Sequence, residues 1–248
     1  MKSVSLLQCG EGKDLVFLHG YLASKESFMP QINYFSKFYR VTAFDFLGFG
    51  QSAPLTDAYS VSDYADWTEE TLSSLGIVCP HVVAHSFGGR VAIKCLSRKD
   101  IFDRVILTGC AGIVKKRTVS YRVKVGSYKI IKRIAPRYAE KHFGSAEYRL
   151  LSPIMRESYK KIVNEDLRED AKRIRRPVLF LNGSRDTETP VASAKILNAC
   201  VRGSKLCVFE GLGHFAHLEN PNLFNLAVEE FLSCRNSDSG SELHSAVF

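Results

Sequence analysis

Val82-Val83-Ala84-His85-Ser86-Phe87-Gly88-Gly89 joins two unlike patterns, and the way it joins them decides the fold. Val82, Val83 and Ala84 make a short apolar run, β-branched at its start, of the kind that fills a strand buried on both faces. From Phe87 onward the apolar residues Phe87, Val91, Ala92, Ile93, Cys95 and Leu96 recur at helical intervals, so a helix packed on a sheet follows at once. Ser86 falls in the turn between them. So sharp a turn needs small residues two places before and two places after it, and Ala84 and Gly88 stand there. The usual pattern has glycine at both places; alanine at the first is a departure that still leaves room for strand and helix to close. Two readings of Ser86 are open on this stretch alone. Its hydroxyl is held out of a strained turn as a nucleophile, or it caps the helix.

The same alternation extends to both sides. Residues 3 to 8 and Asp14 to Leu18 are expected as early strands, Ser24 to Tyr39 as a helix, and Arg40 to Phe44 as a strand, which together make a β-α-β unit. An amphipathic helix over Ser60 to Leu75, stopped by Gly76, leads into the strand before Ser86. After the helix over residues 87 to 98 comes a strand over Arg104 to Thr108. Strands at Val178 to Leu181 and Lys205 to Phe209 close the series, with helices over residues 191 to 200 and Pro221 to Leu232. Such alternation predicts an α/β fold: a mostly parallel, twisted sheet with helices on both faces.

Between residues 113 and 176 the alternation stops. This stretch has 19 Lys+Arg against 7 Asp+Glu, and the rest of the chain has 15 against 19. It is compositionally a different piece, read as a helical insertion over the sheet. A solvated face of basic helices accounts for the charge better than nucleic-acid binding does, and no nucleic-acid partner is expected. The expected organisation is a core of residues 1–112 and 177–235, a cap of residues 113–176, and a disordered tail over 236–248.

The chain has 248 residues, 45% hydrophobic and 24% charged, as an ordinary globular protein does. No apolar run approaches the roughly 18 residues that cross a bilayer, and the first residues lack a secretory apolar core. Its 7 cysteines are scattered and odd in number, several of them in apolar runs, so they are expected as reduced core residues in a cytoplasmic protein rather than as metal ligands. No metal or other cofactor is expected, since no ligand spacing or phosphate-cradling glycine loop is present. The oligomeric state, monomer or homodimer, is left open.

In an open parallel sheet reactive groups gather in loops at the carboxyl ends of the strands. His19-Gly20-Tyr21 follows one strand, Ser86 another, Asp186 a third, and Gly211-Leu212-Gly213-His214 the last. A serine hydroxyl is a poor nucleophile until an imidazole takes its proton, and that imidazole needs a carboxylate to fix its tautomer. Ser86, His214 and Asp186 are the candidates for these roles. The backbone N–H of Phe87, next after the serine, and that of Tyr21 are the candidate donors to an oxyanion. Glu188 and Glu210 are alternative acids. Asp45 is expected to organise its own glycine-rich loop, His85 to diverge from Ser86, and His217 to be a wall residue.

Taken together, His19-Gly20, Asp45-x-x-Gly48-x-Gly50-x-Ser52, Ser86 in its turn, and Asp186 with Gly211-x-Gly213-His214 resemble the α/β-hydrolase superfamily. The resemblance implies an α/β-hydrolase core with a cap inserted between the sixth and seventh core strands. It also implies hydrolysis of an ester or related acyl bond of a small to medium substrate, with His19 supporting the oxyanion loop. Tyr121, Tyr128, Tyr138, Phe143, Tyr148 and Met155 are candidates for the wall of an acyl pocket. His19 and Arg90 are further candidates for substrate contact. The Ser86-x-Gly88-Gly89-Arg90 arrangement is similar to that of the menaquinone-pathway synthase of the superfamily, which keeps the triad but acts as a lyase on a dicarboxylate. Alternatively, Arg90 pairs with Asp63 or Asp66. The expected function is that of a carboxylesterase-like serine hydrolase; the alternatives are a triad-bearing lyase or C–C bond hydrolase and a ligand receptor that retains the fold.

Overall fold

The computed structural model describes residues 3–114 and 151–233. The tail expected from Asn236 and the expected acyl-wall residues Tyr121, Tyr128, Tyr138, Phe143 and Tyr148 lie outside the described residues. Strands run over Leu6–Cys9 (β1), Asp14–Leu18 (β2), Arg40–Phe44 (β3), His81–His85 (β4), Val105–Thr108 (β5), Val178–Gly183 (β6) and Lys205–Phe209 (β7). They form one sheet in the order β1-β3-β2-β4-β5-β6-β7, parallel except for β1, which pairs antiparallel with β3. Helices run over Met29–Phe35 (α1), Val61–Ser74 (α2), Phe87–Arg98 (α3), Pro153–Asn164 (α4), Arg168–Ala171 (α5), Val191–Cys200 (α6), Ala216–Glu219 (α7) and Pro221–Ser233 (α8).

Strand residues alternate between two apolar layers. Val16, Leu18, Val82, Ala84, Val105 and Leu107 pack with Val61, Tyr64, Val91, Ile93 and Leu197 on the side of α2, α3 and α6. Leu15, Phe17, Val83, Ile106, Leu179 and Leu181 pack with Ile32, Phe35, Phe224 and Val228 on the side of α1 and α8. Both sets are buried, which is why the central strands read as continuous apolar runs. At roughly 1.5–3 kcal/mol for each fully buried aliphatic or aromatic side chain, the centre of the sheet outweighs β1, whose residues alternate between exposed and half-buried.

The helix expected over residues 24–39 is shorter. A 3₁₀ turn spans Lys25–Phe28 and α1 begins at Met29, because Pro30 lacks an N–H and its ring suits the first turn of a new helix rather than the middle of one. β1 spans Leu6–Cys9 instead of residues 3–8. β6 runs two residues past Leu181, since Asn182 and Gly183 pair with Val208 and Phe209 on β7. α2 opens on a capping box: Asp63 accepts from the Ser60 amide at 2.6 Å and the Ser60 hydroxyl accepts from the Asp63 amide at 3.3 Å.

The stretch expected as an insertion falls between the fifth and sixth described strands rather than between a sixth and a seventh; Pro153–Asn164 and Arg168–Ala171 within it are helical, and α3 carries polar residues that bond them. Arg90, Lys94 and Ser97 recur at helical spacing on one face. Arg90 Nη1 donates to the carbonyls of Ile162 (2.9 Å) and Glu165 (2.8 Å). Lys94 Nζ pairs with Glu165 and Asp170 at 2.8 Å each, and Ser97 donates to Asp170 at 3.0 Å. Arg90 thus pairs with neither Asp63 nor Asp66, which bond Ser60 and Arg98 respectively. Other cations of this stretch pair within it, Lys160 with Glu157, Arg168 with Asp166 and Lys172 with Glu169.

Candidate active site

β4 delivers Ser86 to the carboxyl end of the sheet centre, and α3 leaves from it. Ser86 has φ 50° and ψ −104°, a left-handed φ that costs a non-glycine residue about 1–3 kcal/mol. Its side chain makes no cap hydrogen bond to α3, so helix capping is not its role. The turn is held by backbone: the Ser86 amide donates to Thr108 O at 3.0 Å, and Ser86 O accepts from Ala111 N at 3.3 Å and Arg90 N at 3.4 Å. Gly88 has to be small because a Cβ there would lie 2.3 Å from the Leu18 carbonyl oxygen; its amide donates to His19 O at 3.1 Å. Ala84, buried between β2 and β5, fits the other small position.

His214 sits in the loop between β7 and α7, and its Nδ1 lies 2.8 Å from Asp186 Oδ2 in the loop after β6. An ionised carboxylate only accepts, so Nδ1 bears the proton and Nε2 keeps its lone pair. Asp186 also accepts from the Thr189 amide at 2.8 Å and from the Thr189 hydroxyl at 2.7 Å. Burial pushes the Asp186 carboxyl up, but the bonds from His214 and Thr189 outweigh it and leave the pKa below the ordinary value. Of the alternative acids, Glu210 accepts from Ser184 and Glu188 is exposed on the cleft wall.

Ser86 and His214 open onto one cleft of about 580 Å³, which Gly20, Tyr21, Phe87, Arg90, Thr189 and Phe215 help to line. Phe87 is the first residue of α3, whose leading amides have no partner within the helix. Tyr21 touches α4 directly: its hydroxyl donates to Met155 O at 3.2 Å, and its ring packs edge-on against Phe49 and Phe87. Met155, the described member of the expected acyl wall, is buried in the core layer shared with α2 and α3.

His19 does not touch this cleft, which corrects the expectation that it contacts substrate. It is fully buried; Nδ1 donates to Gly20 O at 2.7 Å and Nε2 accepts from the Phe46 amide at 3.0 Å. Both nitrogens are spent tying the Gly20–Tyr21 loop to the loop after β3, in keeping with a supporting role. Burial lowers its pKa to about 4. Asp45 organises its loop as expected, accepting from the amides of Lys25 (2.8 Å) and Gln51 (2.9 Å), and it also holds the buried Lys25 ammonium at 2.9 Å.

Thr189 was not visible as a site residue in the sequence. The only signal is its place three residues after Asp186, the spacing at which an aspartate side chain accepts from a backbone amide in an N-cap. His85 and His217 likewise gather beneath His214, with ring centroids 4.7 Å apart for His85–His214 and for His85–His217. Among the described residues no group of three or more His, Cys, Asp or Glu has the arrangement of a metal site, and no helix is long and apolar enough to cross a membrane.

Residues 15–227 match the model of the alpha/beta hydrolase family. A protein of Bacillus subtilis named AB hydrolase superfamily protein YisY is 25% identical over 247 residues, 90% of this chain and 92% of that one. The (E)-2-((N-methylformamido)methylene)succinate hydrolase of Acinetobacter baylyi is 36% identical over 118 residues, which span 47% of this chain and 43% of that protein. Among solved structures, a bromoperoxidase from Bacillus anthracis superposes with a TM-score of 0.77 at 22% identity, covering 93% of this chain and 95% of that one. An esterase from Exiguobacterium antarcticum does so with a TM-score of 0.75, also at 22% identity, covering 93% and 96%.

Proposed function

Since the chain belongs to the alpha/beta hydrolase family, we propose that it is a serine hydrolase that cleaves a carboxylic ester or related acyl bond of a small to medium substrate. The observation that carries this reading is the Asp186–His214 pair, 2.8 Å apart, opening onto the same cleft as a serine held at φ 50° with no capping bond. In this reading residues 1–112 and 177–235 are the catalytic core and residues 113–176 are the cap that shapes the acyl site.

The steps follow from the tautomer. His214 Nε2 takes the proton of Ser86 Oγ as the oxygen attacks the acyl carbon, and Asp186 stabilises the imidazolium that results. Negative charge moves to the carbonyl oxygen, where the amides of Phe87 and Tyr21 are the proposed donors; removing one such donor costs roughly 3 kcal/mol in known cases. Collapse expels the alcohol, which takes the proton from His214. Water, deprotonated by the same Nε2, then releases the acid from Ser86. A neutral imidazole and an ionised carboxylate suffice for the base.

A second reading, a C–C bond hydrolase or lyase for a carboxylate-bearing substrate, is favoured by Arg90. Arg90 is 6% exposed and lines the cleft, and its guanidinium meets two carbonyls that leave its charge unneutralised. One relative is named as the hydrolase of a succinate derivative.

One experiment bears on both. A fluorophosphonate probe should label the wild type and leave Ser86→Ala untouched, with ester turnover lost in that variant and its circular dichroism retained. Labelling that persists in Ser86→Ala would move the nucleophile elsewhere. In the same panel, Arg90→Ala should raise KM for anionic esters about tenfold relative to neutral ones if the second reading holds. An equal change for both classes would leave Arg90 as a support of α4.

A further inference from the structure

His85 directly precedes Ser86, is 1% exposed, and has no part in the chemistry above. We propose that His85 is a positioning residue that holds the His214 loop and the Gly20 loop in register with Ser86, by donating Nε2–H to the backbone carbonyl of His214 while its opposite edge packs on Gly20. The inference rests on the reading in which His214 is the base and the Gly20–Tyr21 loop supplies an oxyanion donor.

His85 Nε2 lies 3.1 Å from His214 O, across 129 residues of sequence. A carbonyl only accepts, so Nε2 carries the proton and Nδ1 is bare. Nδ1 points to the other loop: a Cβ on Gly20 would lie 2.7 Å from it and 3.5 Å from the Ser86 Cβ. Glycine at 20 and histidine at 85 are thus a matched pair, since any side chain at 20 would push the imidazole off its acceptor. The ring cannot swing away, because His214, Phe215 and His217 enclose it at centroid distances of 4.7, 5.1 and 4.7 Å. Other tethers of the base-bearing loop lie off the cleft: Gly213 N donates to Glu219 at 2.7 Å, and Leu212 O accepts from Arg185 N at 2.8 Å. The bond from His85 acts on the carbonyl of residue 214 itself. It comes from the strand that ends in the nucleophile, so base and nucleophile share one rigid support.

Burial, with His217 and His214 beside it, holds the His85 imidazole far below its ordinary pKa. It therefore stays neutral and does not compete with His214 for the serine proton. A misplacement near 1 Å costs on the order of 100-fold in rate, so a single loop tether at this point is enough to matter.

The test compares His85→Phe, His85→Asn and His85→Gln in the full chain, using p-nitrophenyl acetate and hydrogen–deuterium exchange. Phenylalanine keeps the ring and removes the donor; asparagine keeps an amide too short to reach; the amide of glutamine falls near the Nε2 position. The expected result is a kcat lower by about 10- to 100-fold in the phenylalanine and asparagine variants, with KM within about twofold. Glutamine should recover kcat to within about threefold of wild type. Exchange in residues 211–216 should rise about tenfold in the first two variants and not in the third. If His85→Phe does not fold, His85→Asn read against His85→Gln carries the comparison. The proposal is overturned by wild-type kcat in both the phenylalanine and the asparagine variant, by a glutamine variant as slow as they are, or by unchanged exchange in the loop. If the wild type hydrolyses no ester and Ser86 goes unlabelled, the hydrolase reading fails by itself, and the exchange measurement still decides whether His85 holds the loop.

Discussion

Thr189 supplies two of the three hydrogen bonds that Asp186 accepts, and its hydroxyl also stands 3.2 Å from His214 Nδ1. A hydrogen bond to a buried charged group is worth about 1.5–3 kcal/mol, so the hydroxyl bears directly on where the carboxylate sits and how firmly it stays ionised. Valine is nearly the same shape as threonine and lacks the donor. Thr189→Val should therefore lower kcat for a neutral ester about tenfold with KM nearly unchanged; steady-state kinetics at neutral pH will check this, and a wild-type kcat would mean that the backbone amide alone holds Asp186. The arrangement leaves Asp186 with a fully buried side chain and His214 at 12% exposure. The pair is largely shielded from water, and His214 still lines the cleft.

At the scale of elements, what matters is how closely α3 approaches β2. Gly88 lies on the first turn of α3, where an added Cβ would meet backbone oxygens of Leu18 at 2.3 Å and His19 at 2.8 Å, neither of which can swing aside as a side-chain tip does. Gly88→Ala should cost at least the 1–3 kcal/mol typical of overpacking. It should also slow fluorophosphonate labelling of Ser86, since the helix would have to back away from the strand; a denaturant melt and a labelling time course measure the two effects. Unchanged stability would show that the strand yields. Ala84, two residues before Ser86, is the other small residue of the turn and is fully buried between β2 and β5. The other face of α3 does a different job: Arg90, Lys94 and Ser97 anchor α4 and α5, so one helix carries both the Ser86 turn and the bonds to these helices.

For the whole molecule the telling feature is the set of buried imidazoles beside the cleft. Burial lowers His19 to about 4 and His217 to about 3, and places His85 well below the ordinary 6.5. Below about pH 6.5 the unfolded chain binds protons that the folded one refuses. Each group then removes stability as pH falls, by at most about 1.4 kcal/mol per pH unit. Asp186 acts lower down: its depressed pKa contributes stability above its unfolded value of 3.8, lost as pH falls through the folded value. The urea midpoint should be steady from pH 7 to 8 and decline from about pH 6.5 towards pH 4. A flat profile down to pH 4.5 would mean that these imidazoles are solvated in the fold.

Much of this was legible in the chain itself. Val82–Ala84, Asp14–Leu18 and Lys205–Phe209 declared strands because an apolar run too short for a helix, ending at glycine or a polar loop, has one good place to go. That Ser86, Asp186 and His214 come near one another was legible because each follows such a strand, and strand ends in a parallel sheet share one rim. Boundaries were less legible: Pro30 split a helix that periodicity ran together, and the pairing of β6 with β7 carried a strand past its apolar residues. Order of elements, class of fold and types of reactive group are local properties of sequence, set by periodicity and backbone chemistry. The uses of Thr189 beside His214, and of His19, His85 and Arg90, are not, because each depends on a partner 25 to 129 residues away, and only the folded sheet brings those atoms within hydrogen-bond reach.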